Sequence, residues 1–579
     1  MSAELQATCA SLGYSDEDGH YQREPDCLES IKDLIRFLKR DDETCSIRRQ
    51  LGSAAILQND LIPILKLIGS NLVFLETVLR LLVNLTQPAC LCFREQIPDD
   101  KLARQNLLEV ESYLLDYKES FVDEVLFSIL STELGNLLQK EWSDREEEDR
   151  MLIERIVLLV RNVLLIPTDL EKEQRTDDDA SIHDQILWSL HSGGFIDLLL
   201  YIASSDDERA LALHVLEITS LIFMEQTPDQ LASCGTSRPA DDKAKDTKEL
   251  ELMLDKERHS RRASILKCGS RHSRFGGTFQ MKDFKSISDR DFIFEGVFKM
   301  NLSKGKVGRR KAKNRRPIAE AEVVRRSTFV VRSMLKEFCV QFLENCYNPL
   351  MRVVKDALIR SKAQENDESY YFKVMTFIMH FNRKFEFKSA LVGETLSITT
   401  FHYVTTQLIK YHELVLSDKK DAIIWSKRMH LALRAYNELL QCIMKMDQSD
   451  ESSVRESSRV IKSNIFYTME YRDLFLLLLK KYDVTKQSRQ FLQDLLEANH
   501  VFVRMLELTC RADRHLVIQR KKRRIRRRRR KKKKETTMVE KDEGDNDYQH
   551  HHHYYYHYHI VAPSRASKVD GRASLGCHK

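Results

Sequence analysis

Glycine and proline are scarce in this 579-residue chain, at 18 and 10 residues. That scarcity disfavours folds built from many tight turns, and the abundance of Leu, Glu, Lys and Arg favours helices. No apolar run reaches the ~18–20 residues needed to cross a bilayer. The greasiest long segment, Met151 to Pro167, is interrupted by Glu154, Arg155, Arg161 and Asn162, so no membrane partner is expected. The 12 cysteines are scattered, with Cys90 and Cys92 the closest pair and no CxxC. Met1 to His20 carries acidic residues and no apolar signal core. Reduced thiols in the cytosol or nucleus are the simple expectation.

Catalytic and cofactor motifs are missing too. There is no GxxxxGK[ST], no GxGxxG and no HExxH, and Ser303 to Gly308 lacks the spacing of a phosphate-binding loop. The 19 histidines accompany no nucleophile motif. The His550 to His559 cluster reads as incidental metal affinity. No enzymatic activity, cofactor or metal centre is expected.

What is present is a succession of amphipathic helices. Leu28, Ile31, Leu34, Ile35 and Leu38 recur at spacings of three and four and line one helical face. Further helices are expected over Thr44 to Leu57, Asp60 to Ile68 and a longer segment carrying Leu72, Leu75, Val78, Leu79, Leu82 and Val83. Three apolar helices close at Pro88, Pro167 and Pro228, where proline cannot continue them. The first two share a late asparagine, Asn84 and Asn162, placed to bond the backbone of a neighbouring repeat. These endings resemble the third helix of armadillo repeats. The reading is an all-α, irregular armadillo/HEAT-like α-solenoid, with a helical bundle as the plainer alternative.

Four regions follow. Residues 1–232 form a first helical-repeat block and 233–326 a charged, partly disordered basic insertion. Residues 327–518 form a second helical block, with helices over Tyr370 to Phe381, Phe401 to Leu414, Ile424 to Met446, Ser457 to Lys481 and Phe491 to Leu508. The stripe Ile465, Phe466, Met469, Leu474, Phe475 and Leu478 reads as core. Residues 519–579 form a low-complexity tail with no apolar face to bury.

The net charge of +6 conceals a division. Fourteen of the fifteen residues from Arg520 to Lys534 are Lys or Arg, and without them the remainder carries −8. Inside the insertion, Arg271-His272-Ser273-Arg274-Phe275-Gly276-Gly277-Thr278-Phe279 breaks the surrounding pattern. Gly276 and Gly277 let a backbone or a phosphate approach closely, and Arg271 and Arg274 offer forked donors suited to phosphate or carboxylate. The element reads either as a charged turn or as a contact to a polyanion. Arg309, Arg310, Lys311, Lys313, Arg315 and Arg316 suit a nuclear import signal, contact with a DNA backbone, or a solvated linker. Ser264, after Arg261-Arg262-Ala263, fits a weak basophilic phosphorylation pattern.

Several uncommon strings occur in order: Pro25-Asp26-Cys27-Leu28-Glu29-Ser30-Ile31-Lys32-Asp33-Leu34-Ile35-Arg36, Val83-Asn84-Leu85-Thr86-Gln87-Pro88-Ala89, and Asp177-Asp178-Asp179-Ala180. The Arg271 to Phe279 element, Glu344-Asn345-Cys346-Tyr347-Asn348, Arg428-Met429-His430-Leu431-Ala432-Leu433 and Val454-Arg455-Glu456-Ser457-Ser458-Arg459 follow. Together, over roughly residues 4 to 518, the chain resembles the Timeless family of replication-fork protection proteins. The resemblance implies a non-enzymatic nuclear scaffold that pairs with Tipin and rides on the replicative helicase among other replisome components. It implies a grip on duplex DNA, support of checkpoint signalling and aid to sister-chromatid cohesion. Animal relatives also contribute to circadian timing, which makes a module binding clock repressor proteins the alternative. Family members typically run longer, and the Lys/Arg-then-His/Tyr tail matches nothing in the family. The resemblance therefore does not extend to functions of the family's C-terminal half, which include further DNA contacts and contacts to poly(ADP-ribose) polymerase.

Overall fold

The computed structural model describes residues 3–16, 20–69, 71–93, 100–167, 181–235, 327–360, 367–418 and 420–512. It also describes Leu252, Asp255, Arg258, His259 and the strands Thr278–Met281 and Phe292–Glu295. Helices dominate. The described strands form two short antiparallel hairpins, Gly13–Ser15 with Tyr21–Arg23, and Thr278–Met281 with Phe292–Glu295.

Seven helices form a spine in which each packs on the next. In chain order they are α1 (Cys27–Lys39), α2 (Leu72–Leu85), α3 (Glu147–Leu165), α4 (Ala212–Ile222), α5 (Ser369–Lys384), α6 (Ala422–Met446) and α7 (Arg489–Ala512). The remaining helices pack along its flanks. Lys101–Ser120 lies on Ser46–Ser53, Glu124–Gln139 lies on Ile182–Ser192 and Phe195–Ser204, and Ile398–Ser417 lies along α6.

Local sequence explains these elements. In α1 the periodic Ile31, Leu34 and Ile35 are buried, and Arg36 and Lys39 sit in the last turn, where cations favour the helix dipole. In α2, Asn71 caps the start by accepting from the Phe74 amide at 3.2 Å. In α3, Glu146 and Asp149 form a capping box, and three acidic residues occupy the first turn. Each proline stop behaves as its chemistry requires. The chain turns extended at Ile166 before Pro167, and Pro228 opens the next short helix, Pro228–Ala232.

Two expected helices come out divided. The stretch expected as one helix over Thr44 to Leu57 ends at Ser53. A π-helical turn, Leu57–Leu61, then leads into Ile62–Leu67. Ser457 to Lys481 lies in two helices, Ser452–Tyr467 and Met469–Lys480, because Thr468 adopts extended backbone with ψ 131°. The core stripe survives that break. Ile465, Phe466, Leu474, Phe475 and Leu478 are buried, and Met469 is half-buried.

The two helical blocks share one hydrophobic core. At their junction α4 packs on α5, and the Phe223 ring stacks on Phe377 with centroids 4.4 Å apart. Among the described residues no single helix is long and apolar enough to cross a membrane. One bent pair, Ile182–Ser192 and Phe195–Ser204, passes that test jointly at an angle of 75°.

Candidate nucleic-acid interface

Four of the six junctions between successive spine helices are stapled by arginine–carboxylate pairs. Arg155 of α3 meets Glu76 of α2 at 2.5 Å, and Arg161 of α3 meets Glu217 of α4 at 3.2 Å. Arg383 of α5 grips Glu438 of α6 through Nε and Nη2, at 2.6 and 3.0 Å. Arg434 and His430 of α6 share one oxygen of Asp494 on α7, at 2.9 and 2.7 Å. Burial alone would raise the Asp494 carboxyl, but these two partners outweigh it and hold the group below its ordinary value. Off the spine, Arg145 and Glu208 form a buried pair at 2.5 Å. Guanidiniums committed in this way are neutralised and are poor donors for an incoming phosphate.

The ends of the basic insertion are fixed by a buried polar cluster. Ser181 caps helix Ile182–Ser192 by accepting from the Asp184 amide at 3.1 Å, which sets Asp184 in the first turn, where a carboxylate is favoured. Ser327 Oγ donates to Asp184 Oδ1 at 3.1 Å and accepts from Gln226 Nε2 at 2.5 Å. Thr328 then caps the following helix, Phe329–Gln341, by accepting from the Val331 amide at 3.3 Å. Lys336, on that helix, donates to the Cys234 carbonyl. Residues on both sides of the insertion, Gln226 and Cys234 before it and Ser327 and Lys336 after it, are thereby tied to the same part of the body.

Beside Asp184, His183 is fully buried. Its Nε2 lies 3.2 Å from the Leu221 carbonyl, which can only accept, so that nitrogen carries the proton. Nδ1 is then the acceptor for the buried Lys118 ammonium at 3.3 Å. Lys118 also donates to the Ile166 carbonyl just past the end of α3, where a cation complements the helix dipole.

The predicted site residues fall between these two flanks in sequence. Arg271, Arg274, Gly276, Gly277, Arg309, Arg310, Lys311, Lys313, Arg315, Arg316 and Ser264 all fall outside the described residues, as does the His550 to His559 cluster. The motif's last two residues are described as backbone. Thr278 and Phe279 begin a strand that pairs with Phe292–Glu295, Thr278 opposite Glu295 and Phe279 opposite Phe294. The glycine pair thus directly precedes a hairpin. Sequence reasoning missed Asp184, Gln226 and Ser327. The Ser181 and Thr328 cap positions were the available local signal, but nothing local joins residues 143 positions apart. Among the described residues no group of three or more His, Cys, Asp or Glu is placed to hold a metal ion.

Comparison with known proteins places these features in a family setting. Residues 20–281 match the family model described as Timeless protein. Over 525 residues the chain is 51% identical to the protein timeless homolog of Mus musculus and 50% identical to that of Homo sapiens. Each match covers 90% of this chain, and 44% and 43% of those proteins respectively. Over 548 residues it is 26% identical to the topoisomerase 1-associated factor 1 of Aspergillus clavatus, covering 86% of this chain and 44% of that protein. The chain therefore spans less than half the length of these relatives.

Proposed function

The chain belongs to the Timeless family, and from that premise we propose that it is a non-enzymatic nuclear scaffold acting at replication forks. Its spine serves as an irregular armadillo/HEAT-like α-solenoid that carries a basic insertion to duplex DNA. It pairs with Tipin and associates with the replicative helicase and, through it, with checkpoint signalling and sister-chromatid cohesion. The name of the fungal relative, topoisomerase 1-associated factor 1, supports including a topoisomerase 1 among these partners.

The observation that carries this reading is the division of cationic charge. Arginines between spine helices are paired with carboxylates, whereas the sequence gathers a second set of cations in the insertion, whose flanks are anchored by Ser327 and Lys336. Phosphate contact falls to that second set. Replacing Arg271 and Arg274 with Ala should weaken binding to a short duplex. The slope of log affinity against log salt should fall by about 0.9 for each phosphate that is no longer neutralised. An unchanged slope refutes the duplex part. Recovery of Tipin and helicase from chromatin with this chain supports the fork role, and recovery of clock repressor proteins without them supports the circadian alternative.

A further inference from the structure

Helix Glu124–Gln139 is joined to α3 by a tight loop, residues 140–146. The loop closes a β-turn in which the Asp144 amide donates to the Glu141 carbonyl at 2.9 Å, so Trp142 and Ser143 sit at its tip. Arg145 pins the turn at its base. It is buried against Glu208, and its Nε and Nη2 donate to the Lys140 and Leu138 carbonyls at 3.0 and 3.1 Å. A turn anchored in this way presents its tip in one place. Ser143 is exposed there, and its hydroxyl donates to the Asp144 carboxylate at 3.2 Å.

Two independent observations bear on that hydroxyl. The first is the sequence after it. Ser143-Asp144-Arg145-Glu146-Glu147-Glu148-Asp149 places carboxylates at +1, +3, +4, +5 and +6, the pattern that a kinase with a basic substrate groove reads on the C-terminal side of its acceptor. Asp144 and Glu146 are exposed, and Glu146 has extended backbone with ψ 163°, so both are presented before α3 begins. The second is Arg150, which reaches back from α3 over the turn. Its guanidinium lies over the Trp142 ring at 4.3 Å, and Nη2 donates to the Trp142 carbonyl at 3.1 Å. That carbonyl belongs to the peptide bond joining Trp142 to Ser143. Glu147 and Glu154 lie one turn away on the same helix, yet among the described residues Arg150 makes no ion pair, whereas Lys140 is paired with Asp149. The surroundings are acidic, so a free anion would not collect here. A phosphate attached by a kinase is delivered regardless of that field, and the nearby charges decide only where it rests.

We propose that Ser143 is a phosphorylation site for an acidophilic serine/threonine kinase and that Arg150 seats the phosphate. The γ-phosphoryl group of ATP passes to Ser143 Oγ. Its bond to the β-phosphate oxygen breaks, ADP leaves, and the hydroxyl proton goes to the kinase's catalytic carboxylate. The product carries about −1.5 to −2 charge at neutral pH, beside a guanidinium already held by Trp142 that loses little freedom on pairing. The inference is independent of the duplex reading, which rests on the insertion.

The test incubates the full chain with ATP and recombinant casein kinase II, an acidophilic kinase. Trypsin then releases Glu141–Arg145, a peptide whose one hydroxyl side chain is Ser143, so mass spectrometry assigns the acceptor without ambiguity. Phosphate is expected on that peptide and should be absent from Ser143→Ala. Glu146→Gln keeps an oxygen for the helix cap and removes the +3 charge. It should slow the modification about tenfold or more, the effect of losing one charge-assisted contact. Glu154→Gln, on the same helix beyond the acidic run, should leave the rate unchanged. An unmodified peptide overturns the proposal, as do equal rates in Glu146→Gln and Glu154→Gln. Phosphorus NMR of the modified chain reads the seat. The second ionisation of phosphoserine, ordinarily near pH 6, should lie about half a unit or more lower in the parent than in Arg150→Gln, because a guanidinium favours the dianion. Superimposable titrations of the two overturn the role given to Arg150.

Discussion

Replacing Ser327 with alanine should loosen the base of the insertion without unfolding the spine. The hydroxyl makes two buried bonds, donating to the Asp184 carboxylate at 3.1 Å and accepting from Gln226 at 2.5 Å. A hydrogen bond to a charged group contributes about 1.5–3 kcal/mol and a neutral one about 0.5–1.5 kcal/mol. Asp184 and Gln226 both make further polar interactions, so neither bears its full desolvation penalty when the Ser327 hydroxyl is removed. The expected cost is therefore about 2 kcal/mol, near the bottom of that combined range. Helix Phe329–Gln341 begins two residues later, so the effect should appear as easier local opening there. An increment of about 2 kcal/mol corresponds to roughly 30-fold faster amide exchange if exchange follows local opening. Hydrogen exchange read by mass spectrometry resolves residues 329–341 from α1, which serves as the internal reference. Ser457→Ala, which removes an exposed hydroxyl bonded to the Ser453 carbonyl at 3.0 Å, should change neither segment. Exchange over residues 329–341 within about threefold of the parent, less than 1 kcal/mol, would refute the reasoning. Equal acceleration in α1 would refute it too, by showing that the cluster supports the whole body and not the insertion's base.

Gly193 and Gly194 should respond to alanine for different reasons. A Cβ on Gly193 would sit 2.9 Å from the Phe127 carbonyl carbon and the Ser128 nitrogen, at a cost of about 2–3 kcal/mol, while Gly194 has open space but φ 77°, at a cost of about 1 kcal/mol; denaturant midpoints in the reverse order contradict this. Asp494, held below its ordinary pKa once His430 and Arg434 outweigh burial, contributes stability that is complete above its unfolded value of about 3.9 and disappears as pH falls through its folded value. Asp494→Asn should therefore flatten the melting temperature against pH between about 5 and 3, and parallel curves for the two proteins would rule the linkage out. Burial pushes the Cys9, Cys27 and Cys45 thiols up to about 11 and Cys346 up to about 12, whereas Cys90 and Cys510 are exposed. Among the described cysteines, native alkylation followed by peptide mapping should modify Cys90 and Cys510 first, and early labelling of Cys346 would show that the segment around it opens readily.

Much of the helical content was legible because it is local. The spacing of Ile31, Leu34 and Ile35 is a helical face, and that face is buried. The junction at Thr468 was less legible, since apolar residues continue across it and only the backbone of one residue departs from the helix. The base of the insertion could not be read from the sequence. Ser327, Gln226 and Asp184 are ordinary polar residues whose meaning comes from a cluster spanning 101 and 143 positions. The asparagines were half legible. Asn162 donates to the Val83 carbonyl and to Thr86 Oγ1, both at 3.4 Å, bonding the neighbouring helix as its place in the sequence suggested. Asn84 takes part through its own carbonyl, which accepts from Arg48.

The separations within these pairs bear on how the spine is built. Asn162 and Val83 are 79 positions apart, and so are Arg155 and Glu76. The prolines that follow the two helices, Pro88 and Pro167, differ by the same 79. One constant offset over a cap-side ion pair, a buried amide and a terminating proline means that α2 and α3 lie parallel and in register. Any two helices that pack parallel keep one offset along their contact, because both rise about 1.5 Å per residue. The matching proline stops carry the same offset to the helix ends, which is also what stacked copies of a repeat would show. Between later spine helices the stapling pairs are 56, 55 and 60 positions apart, so the offset shortens while the pairing persists. Among the described residues such pairs join α2 to α3, α3 to α4, α5 to α6 and α6 to α7. Irregular proline spacing is thus compatible with the stacked arrangement proposed above.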